Sequence, residues 1–388
     1  MKNNAFRVIL CVESSRGSGR DYLRGVARYA HLQGSWSFYW EPGGFEINGQ
    51  KLITLEADGI LLRDVSQLRT QALRLGVPAV VLGHRDQEVR GLVNVVTDSE
   101  SIGQLAAEHL LRCGFKHLAF CGLSRTVLEQ TPWSKLRERS FCARVVQSGC
   151  PPPPVFVLPP PGSEWSTTRR RLADWLVQLP RPLGVMACND DCASQVAEAC
   201  KLARLTVPDA VGIIGVDNDE VVCGLANPAL SSVAINFERA GYQAAEALDR
   251  LMRGDKDVPD RIQVLATQVV ARRSTDIVAV DDGAVAKALT CIRDRAKTSV
   301  TVNEVVRAAG VSRRVLERRF QQYIGGSILK EIQRQRTDQM ARLLLETSLP
   351  VTRIADSLGF EDVQHFARYF RAAKRMSPLA FRKVGGRD

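Results

Sequence analysis

The side chains best suited to specific chemistry cluster towards one end of this sequence. Within RRVLERRFQQ stand Arg313, Arg314, Glu317, Arg318 and Arg319; within VQHFARYFRAAKR stand Gln364, His365, Arg368, Lys374 and Arg375. On a helix, residues three and four apart share a face. Arg314, Glu317 and Arg318 then form one outward stripe, and Gln364 and Arg368 a second. These residue types read base edges in a major groove. Arginine pairs bidentately with guanine, glutamine with adenine, and glutamate accepts from cytosine. Arg313, Arg319, Lys374 and Arg375 are expected on phosphates, which give affinity without sequence information. His365 and Tyr369 flank the second stripe and are expected to pack or to touch phosphate. A solvated basic face uses the same residue types, so the elements that hold these side chains decide the reading.

Those elements repeat. In TVNEVVRAAGVS, Val302, Val305, Val306 and Ala309 make one apolar helical face. Thr301 with Glu304 has the spacing of a capping box, Gly310 supplies a left-handed turn, and Ser312 is placed to cap a second helix with inner face Val315, Leu316 and Phe320. VTRIADSLGF places Val351, Ile354, Ala355 and Leu358 each 49 residues after its counterpart, with Gly359 repeating Gly310. Its second helix has inner face Val363, Phe366 and Phe370. Between the units runs SILKEIQRQRTDQMARLLLE, one amphipathic helix ~30 Å long, enough to hold two reading helices in successive major grooves ~34 Å apart. One helix-turn-helix pattern is weak evidence, because any pair of short helices can show it. Two in register, joined by one long helix, are not.

Charge agrees. The net charge is +11, and residues 284–388 hold 21 Lys and Arg against 10 Asp and Glu, leaving the rest of the chain neutral. Only the basic end is therefore expected to meet a polyanion. Residues 288–384 resemble the AraC/XylS family of DNA-binding domains. The resemblance is carried by IADSLGFEDVQHFARYFRAAKRMSPLAFRK, including Gly359-Phe360, Phe366, Phe370, Ser377-Pro378 and Phe381-Arg382, with Glu361-Asp362 as the polar cap after the glycine turn. It implies sequence-specific binding to double-stranded operator DNA.

From Phe6 to about Ala271 short apolar runs alternate with helix-like stretches. Examples are RVILCV before RDYLRGVARYA, DGILL before SQLRTQALRLG, and LGVMAC before ASQVAEACKLA. This is the pattern of βαβ units and a mostly parallel sheet; its length suggests two lobes, with ligands at strand carboxyl ends. PPPPVFVLPPPG reads as an edge strand, because proline cannot donate to a ladder. No phosphate loop, H-E-x-x-H or G-x-S-x-G is present. His84 and His117 stand beside strands without a nucleophile near in sequence, so catalysis is not expected. The 10 cysteines form no C-x-x-C pair. Cys188 and Cys192 with Asp190 and Asp191 lack a third soft ligand, so neither a metal nor a cofactor is expected. No apolar run is long enough for a membrane-spanning helix and no signal-peptide cleavage site is evident, which reads as cytoplasmic.

This body resembles the LacI/periplasmic sugar-binding family over roughly residues 6–272. DGILL, VTDSESIGQLAAEHLLRCGFKHLAFCG, VMACNDDCASQVAEAC and VGIIGVDNDEVVCGLANPALSSVA carry the likeness. It implies a two-lobed sugar sensor in which Arg139, Asn189 and Asp217 hold hydroxyls, with Arg16 and Arg20 available from the glycine-rich loop ESSRGSGRD. Asn189 is equally an ordinary helix cap, and Asp98 is better read as one. A glutamine frequent in that family's late strand region is replaced by Ile235, followed by Asn236, which leaves the sugar's identity open.

The expected architecture is a two-lobed α/β periplasmic-binding-like domain over residues 1–276, a linker at 277–286, and an all-α double helix-turn-helix domain over 287–388. This order resembles the xylose-operon activators. It implies a sugar effector, D-xylose first, a homodimer, and RNA polymerase as partner of an activator. The alternatives are a non-sugar ligand, a ligand-free dimerisation scaffold, and, more remotely, an enzyme fused to a DNA-binding domain.

Overall fold

A computed structural model describes residues 5–33, 36–42, 56–63, 74, 76–83, 92–124, 133–159, 165–276, 282–295, 300–347 and 349–385. The chain divides into two units: residues 1–109 with 117–275, and residues 110–116 with 276–388. Most of the expected helix SQLRTQALRLG, His84, and half of the expected linker (277–281) lie outside the described residues.

The first unit contains two six-stranded sheets. One is built from β1 (Phe6–Cys11), β2 (Trp36–Trp40), β3 (Gly59–Arg63), β4 (Ala79–Leu82), β5 (Val93–Thr97) and β11 (Arg261–Val264), in the order β11-β5-β4-β3-β1-β2, all parallel. The other uses β6 (His117–Leu123), β7 (Val155–Leu158), β8 (Leu183–Ala187), β9 (Val211–Asp217), β10 (Ser231–Ile235) and β12 (Ala266–Val270), in the order β12-β10-β9-β8-β6-β7, with only the β10–β12 pair antiparallel. Helices cover the sheets, so central strands are buried throughout: GILLR of β3 and LGVMA of β8 have no exposed position. The proline-flanked β7 stands at a sheet edge, as its missing donors require.

Helix α1 (Gly17–Gln33) leads from β1, α2 (Ser99–Arg112) from β5, α3 (Trp133–Gln147) and α4 (Trp165–Gln178) lie in the second lobe, and α5 (Asp190–Leu202) follows β8. Then come α6 (Glu220–Leu225) after β9 and α7 (Phe237–Met252) after β10. Helices α1 and α7 cross in close contact. A Cβ at Gly25 would stand 1.9 Å from the Glu238 carbonyl oxygen, and one at Gly241 would stand 2.1 Å from that of Tyr22, so only glycine permits the crossing.

The second unit is all helix: α8 (Gly283–Asp294), α9 (Val302–Ala309), α10 (Arg313–Ile324), α11 (Ile328–Glu346), α12 (Val351–Ser357), α13 (Val363–Lys374) and α14 (Pro378–Gly385). Two apolar clusters organise it. Val305, Ala309, Leu316 and Phe320 close on Leu289 and Ile292 of α8 and on Ile328 and Ile332 at the start of α11. Ile354, Leu358, Phe366 and Phe370 close on Met340 and Leu344 near its end. The long helix therefore places one end in each helix-turn-helix core. Arg382, buried, donates to the carbonyl oxygens of Leu344 (3.3 Å) and Leu349 (2.6 Å), supplying partners to backbone acceptors at and just beyond that helix end.

Candidate DNA-reading helices and ligand cleft

The two turns that set the reading helices use one backbone device. Gly310 and Gly359 have φ of 71° and 70°, the left-handed region that glycine enters without cost. Before the turns the buried residues match at a spacing of 49; after them Leu316 pairs with Phe366 and Phe320 with Phe370 at a spacing of 50. The second turn thus carries one extra residue. The Thr301–Glu304 capping box is present. Asp362 caps α13 by accepting from the amides of Gln364 (2.9 Å) and His365 (3.3 Å). Ser312 stands at the cap position of α10, but its side chain accepts no capping hydrogen bond, so the expected cap there is positional only.

The outward faces carry the expected side chains. Arg313, Arg314 and Arg318 are exposed on α10, with Glu317 half-buried between them. Gln364, His365 and Arg368 are exposed on α13, and Arg375 follows at the exposed end of that helix. Arg319 and Lys374 differ from the rest. Arg319 donates to Asp282 at 2.8 Å, and Lys374 lies 3.4 Å from Asp338, so both are tied to carboxylates within the unit. Tyr369 packs: its ring lies 5.7 Å from that of Phe360, beneath the Arg336 guanidinium, which stands 4.1 Å from the Phe360 centroid. His365 makes an edge contact with the same Phe360, at 5.5 Å.

In the first unit, charged groups gather at the carboxyl ends of the strands in both sheets. After β1 and at the end of β3, Glu13 and Arg63 form a buried pair with N–O distances of 3.1 and 3.3 Å, and Arg63 also donates to the Ser18 hydroxyl at 3.0 Å. Opposite them, Arg137 of α3 is 1% exposed. It donates to the Cys188 carbonyl oxygen at 2.5 Å, lies 3.5 Å from Asp217, and rests over the Trp133 ring. Burial pushes the Asp217 carboxyl above its usual range, against the opposing pull of Arg137 and Arg63. Asp217 has φ of 100°, which turns the end of β9 sharply.

The lobes meet beside these groups. The Gly17 amide donates to Asp219 Oδ2 at 2.6 Å, Arg20 approaches Asp219 Oδ1 at 3.7 Å, and Arg16 pairs with Asp191. Asp219 simultaneously caps α6 through the amides of Val221 and Val222. Behind it, Asp190 is buried and accepts from the Asp219 amide (2.8 Å) and the Ser232 hydroxyl (2.6 Å). Burial, with Asp217 nearby, raises Asp190 to about 7 despite those donors.

Comparison with known proteins supplies the context. A periplasmic binding protein-like domain matches residues 107–275 and a helix-turn-helix domain matches residues 305–384. The chain is 30% identical over 383 residues to the xylose operon regulatory protein of Escherichia coli K12, covering 97% of both. It is 26% identical to that of Haemophilus influenzae, covering 98% of this chain and 99% of the relative. A solved xylose-binding transcription activator superposes with a TM-score of 0.64 at 29% identity over 99% of each chain.

The chain belongs to the xylose operon regulatory protein family. This regulator binds DNA through the region that contains both reading helices. Asp217 lies beside Arg137 at the end of β9. Asn189 caps α5 by accepting from the Cys192 amide at 2.9 Å, and Asp98 likewise accepts from Ser101 at 3.1 Å, so the cap reading describes both side chains in this arrangement. Arg16 and Arg20 are engaged in ion pairs between the lobes, and Arg20 also donates to the Ser14 carbonyl oxygen at 2.8 Å.

Arg139, expected with Asn189 and Asp217 around the ligand, is not brought beside Asp217 in this structure. It is exposed and lines a polar surface groove with Glu100, Gln104 and Arg261, whereas the arginine of that helix that meets Asp217 is Arg137. Two residues along a helix amount to about 200°, so the two guanidiniums point to opposite sides. The signal was available: Trp133, Arg137, Phe141 and Val145 fall at four-residue intervals on the buried face. Sequence reasoning also passed over Glu13, Arg63 and Tyr22. Their significance depends on strands and a helix remote in sequence, which only folding brings together.

Proposed function

We propose that this regulator senses a small neutral sugar between its lobes, D-xylose first, and activates catabolic genes by engaging operator DNA as a homodimer with RNA polymerase as partner. The observation that supports the sugar reading is a charge-balanced set of groups at the strand ends of the two lobes. Two buried guanidiniums, Arg63 and Arg137, stand with two carboxylates, Glu13 and Asp217. Such a set suits hydroxyls, which both donate and accept, and disfavours a charged ligand. The naming of relatives for xylose points to the pentose. Asp217 and Arg137 are the proposed sugar contacts, with Asn189 turned to the ligand through its backbone or on rearrangement of its cap. Arg314, Glu317, Arg318, Gln364 and Arg368 are the proposed base readers. Arg313 and Arg375 are proposed on phosphate, with Arg319 and Lys374 joining them on release from Asp282 and Asp338. Residues 1–276 form the sensing part, 277–286 the link and 287–388 the DNA-binding part. No helix among the described residues is long and apolar enough to cross a membrane, and a DNA-binding regulator works in the cytoplasm. Regulation, not catalysis, is its activity.

The test is a thermal-shift titration of the full chain with D-xylose, L-arabinose, D-ribose, D-glucose and D-fucose, beside Asp217→Ala. A saturable rise with one pentose, lost in the variant, is expected, because a ligand bound only by the native state stabilises it. The same sugar should tighten operator binding by a coupling of ~1–3 kcal/mol. A sugar that binds without altering operator affinity would overturn the mechanism, and no shift with any sugar would overturn the sensing reading.

A further inference from the structure

We propose that the Tyr22 hydroxyl is the first lobe's hydrogen bond to the sugar and a determinant of which sugar fits. The inference rests on the sensing reading above, and adds a residue outside the sequence-derived set.

Tyr22 lies on α1, four residues beyond Ser18, and is completely buried. Its ring is fixed: Phe237 packs on it at 5.1 Å and the Arg63 guanidinium stands 5.3 Å from its centroid. Its backbone is fixed as well, because Gly241 of α7 lies against the Tyr22 carbonyl. Yet its hydroxyl has no hydrogen-bond partner among the described residues. Buried hydroxyls in folded proteins are nearly always paired, so a rigidly held orphan marks a place where a partner is absent. The charged groups acting on this hydroxyl are Arg63, Asp217 and Glu13, the groups of the cleft itself.

The opposite lobe holds a matching orphan. Arg137 Nε is buried without a partner, although the same guanidinium is tied to Cys188 and lies beside Asp217. Two unused donors, one from each lobe, therefore accompany a carboxylate that only accepts. A ligand that satisfies all three must accept from Tyr22 and from Arg137 Nε, and donate to Asp217. Neighbouring hydroxyls on one neutral molecule do this. A carboxylate ligand would add a third negative charge beside Glu13 and Asp217, and an amine would face two guanidiniums. Because Tyr22 belongs to the first lobe and Asp217 to the second, one sugar meets both only when the lobes are together, as the Gly17–Asp219 hydrogen bond holds them.

The experiment compares full-length wild type with Tyr22→Phe, which deletes the orphan oxygen and nothing else. Isothermal titration uses D-xylose, and then its deoxy analogues one hydroxyl at a time. Without sugar, the variant should melt at or above the wild-type temperature, because it removes an unpaired polar atom. With sugar, its affinity should fall ~10-fold, the order expected for one hydrogen bond. One deoxy analogue should lose affinity for wild type but not for Tyr22→Phe, which identifies the hydroxyl concerned. Two results overturn the proposal: D-xylose binding equally well to both proteins, or a variant destabilised without sugar, which means the hydroxyl already has a protein partner. If wild type binds none of the sugars tested, the sensing reading itself fails first, and that result is distinguishable from either.

Discussion

Asp219 holds the lobes together while capping a helix, and substitution can separate the two jobs. Its Oδ2 accepts the Gly17 amide at 2.6 Å across the lobes. Its Oδ1 accepts from Val221 (3.1 Å) and Val222 (3.4 Å) at the start of α6, and the Arg20 guanidinium lies 3.7 Å away. A hydrogen bond to a charged acceptor contributes ~1.5–3 kcal/mol and an N-cap ~1 kcal/mol. The Arg20 pair, whose arginine is substantially exposed, adds at most ~1 kcal/mol after solvent screening. Asparagine caps helices as well as aspartate does. Asp219→Asn should therefore leave the apo melting temperature nearly unchanged while weakening the closed form by ~1–2 kcal/mol, the difference between a charged and a neutral acceptor. Sugar affinity should fall ~5–30-fold, since a liganded closed state loses whatever the latch contributed. Asp219→Ala should weaken sugar binding at least as much and also lower the melting temperature, because the cap goes too. Calorimetric titration and thermal unfolding read the two effects separately. Wild-type sugar affinity in both variants would refute the idea that this contact operates in the liganded protein.

Three further outcomes follow from the same geometry. Asp190 is raised to about 7 by burial, so its folded form holds a proton that the unfolded chain releases near 4. Its contribution to stability is complete below that lower value and is lost as pH rises through about 7. Wild type should thus lose stability between pH 4 and pH 7 by more than Asp190→Asn does, and parallel curves for the two proteins would show that the Ser232 and Asp219 donors keep Asp190 ionised. Phe366 is fully buried, with Phe360 at 5.2 Å and Phe370 at 6.5 Å, so Phe366→Ala should cost ~3–5 kcal/mol and abolish operator binding through unfolding of the second helix-turn-helix; a melting curve identical to wild type would contradict that packing. Arg314→Ala and Arg368→Ala, at exposed positions, should each cost ~1–3 kcal/mol of operator binding and relax preference at one base pair. A uniform loss across all sequences would mark them as phosphate contacts.

The helical end was almost fully legible in the sequence, for a local reason. Its apolar spacing, capping box and glycine turns are all encoded within a few residues of one another, and the repeat tests each assignment against its copy. The cap at Ser312 failed because a cap residue's type does not fix its rotamer. The phosphate assignments of Arg319 and Lys374 missed carboxylates 37 and 36 residues away. The sensing unit was legible as alternating strands and helices but not as a site. Helix α3 shows why. Its buried stripe contains an arginine, Arg137, where an apolar residue is the ordinary choice; the four-residue spacing sets it apart from Arg139 but does not say what the buried guanidinium meets. The candidate site draws on residues as far apart as Glu13 and Asp217, and its charge balance appears only when three strand ends and helix α3 are assembled.

That assembly also bears on how a ligand could be felt elsewhere in the chain. Three successive residues at the end of β9 have three different engagements. Asp217 lies beside Arg137. Asn218 accepts from Arg272 at 2.7 Å and donates its amide to Ser232 at 3.0 Å. Asp219 holds the first lobe through Gly17. Asp217 and Asn218 both have positive φ, at 100° and 56°, a backbone state that side chains other than glycine enter only when their surroundings hold them there. Here the surroundings are Ser232, Asp190 and Arg272, themselves bonded to one another or to neighbouring backbone. Two residues after Arg272 comes the buried Ser274, which donates to the Ile213 carbonyl oxygen at 2.6 Å, and the first unit ends one residue later at Thr275. If sugar is held at Asp217 as proposed, it acts on a turn that cannot adjust one residue at a time. Lobe closure and the anchoring of the exit segment share that turn, so coupling between them needs no long chain of contacts, only a second arrangement of these three residues.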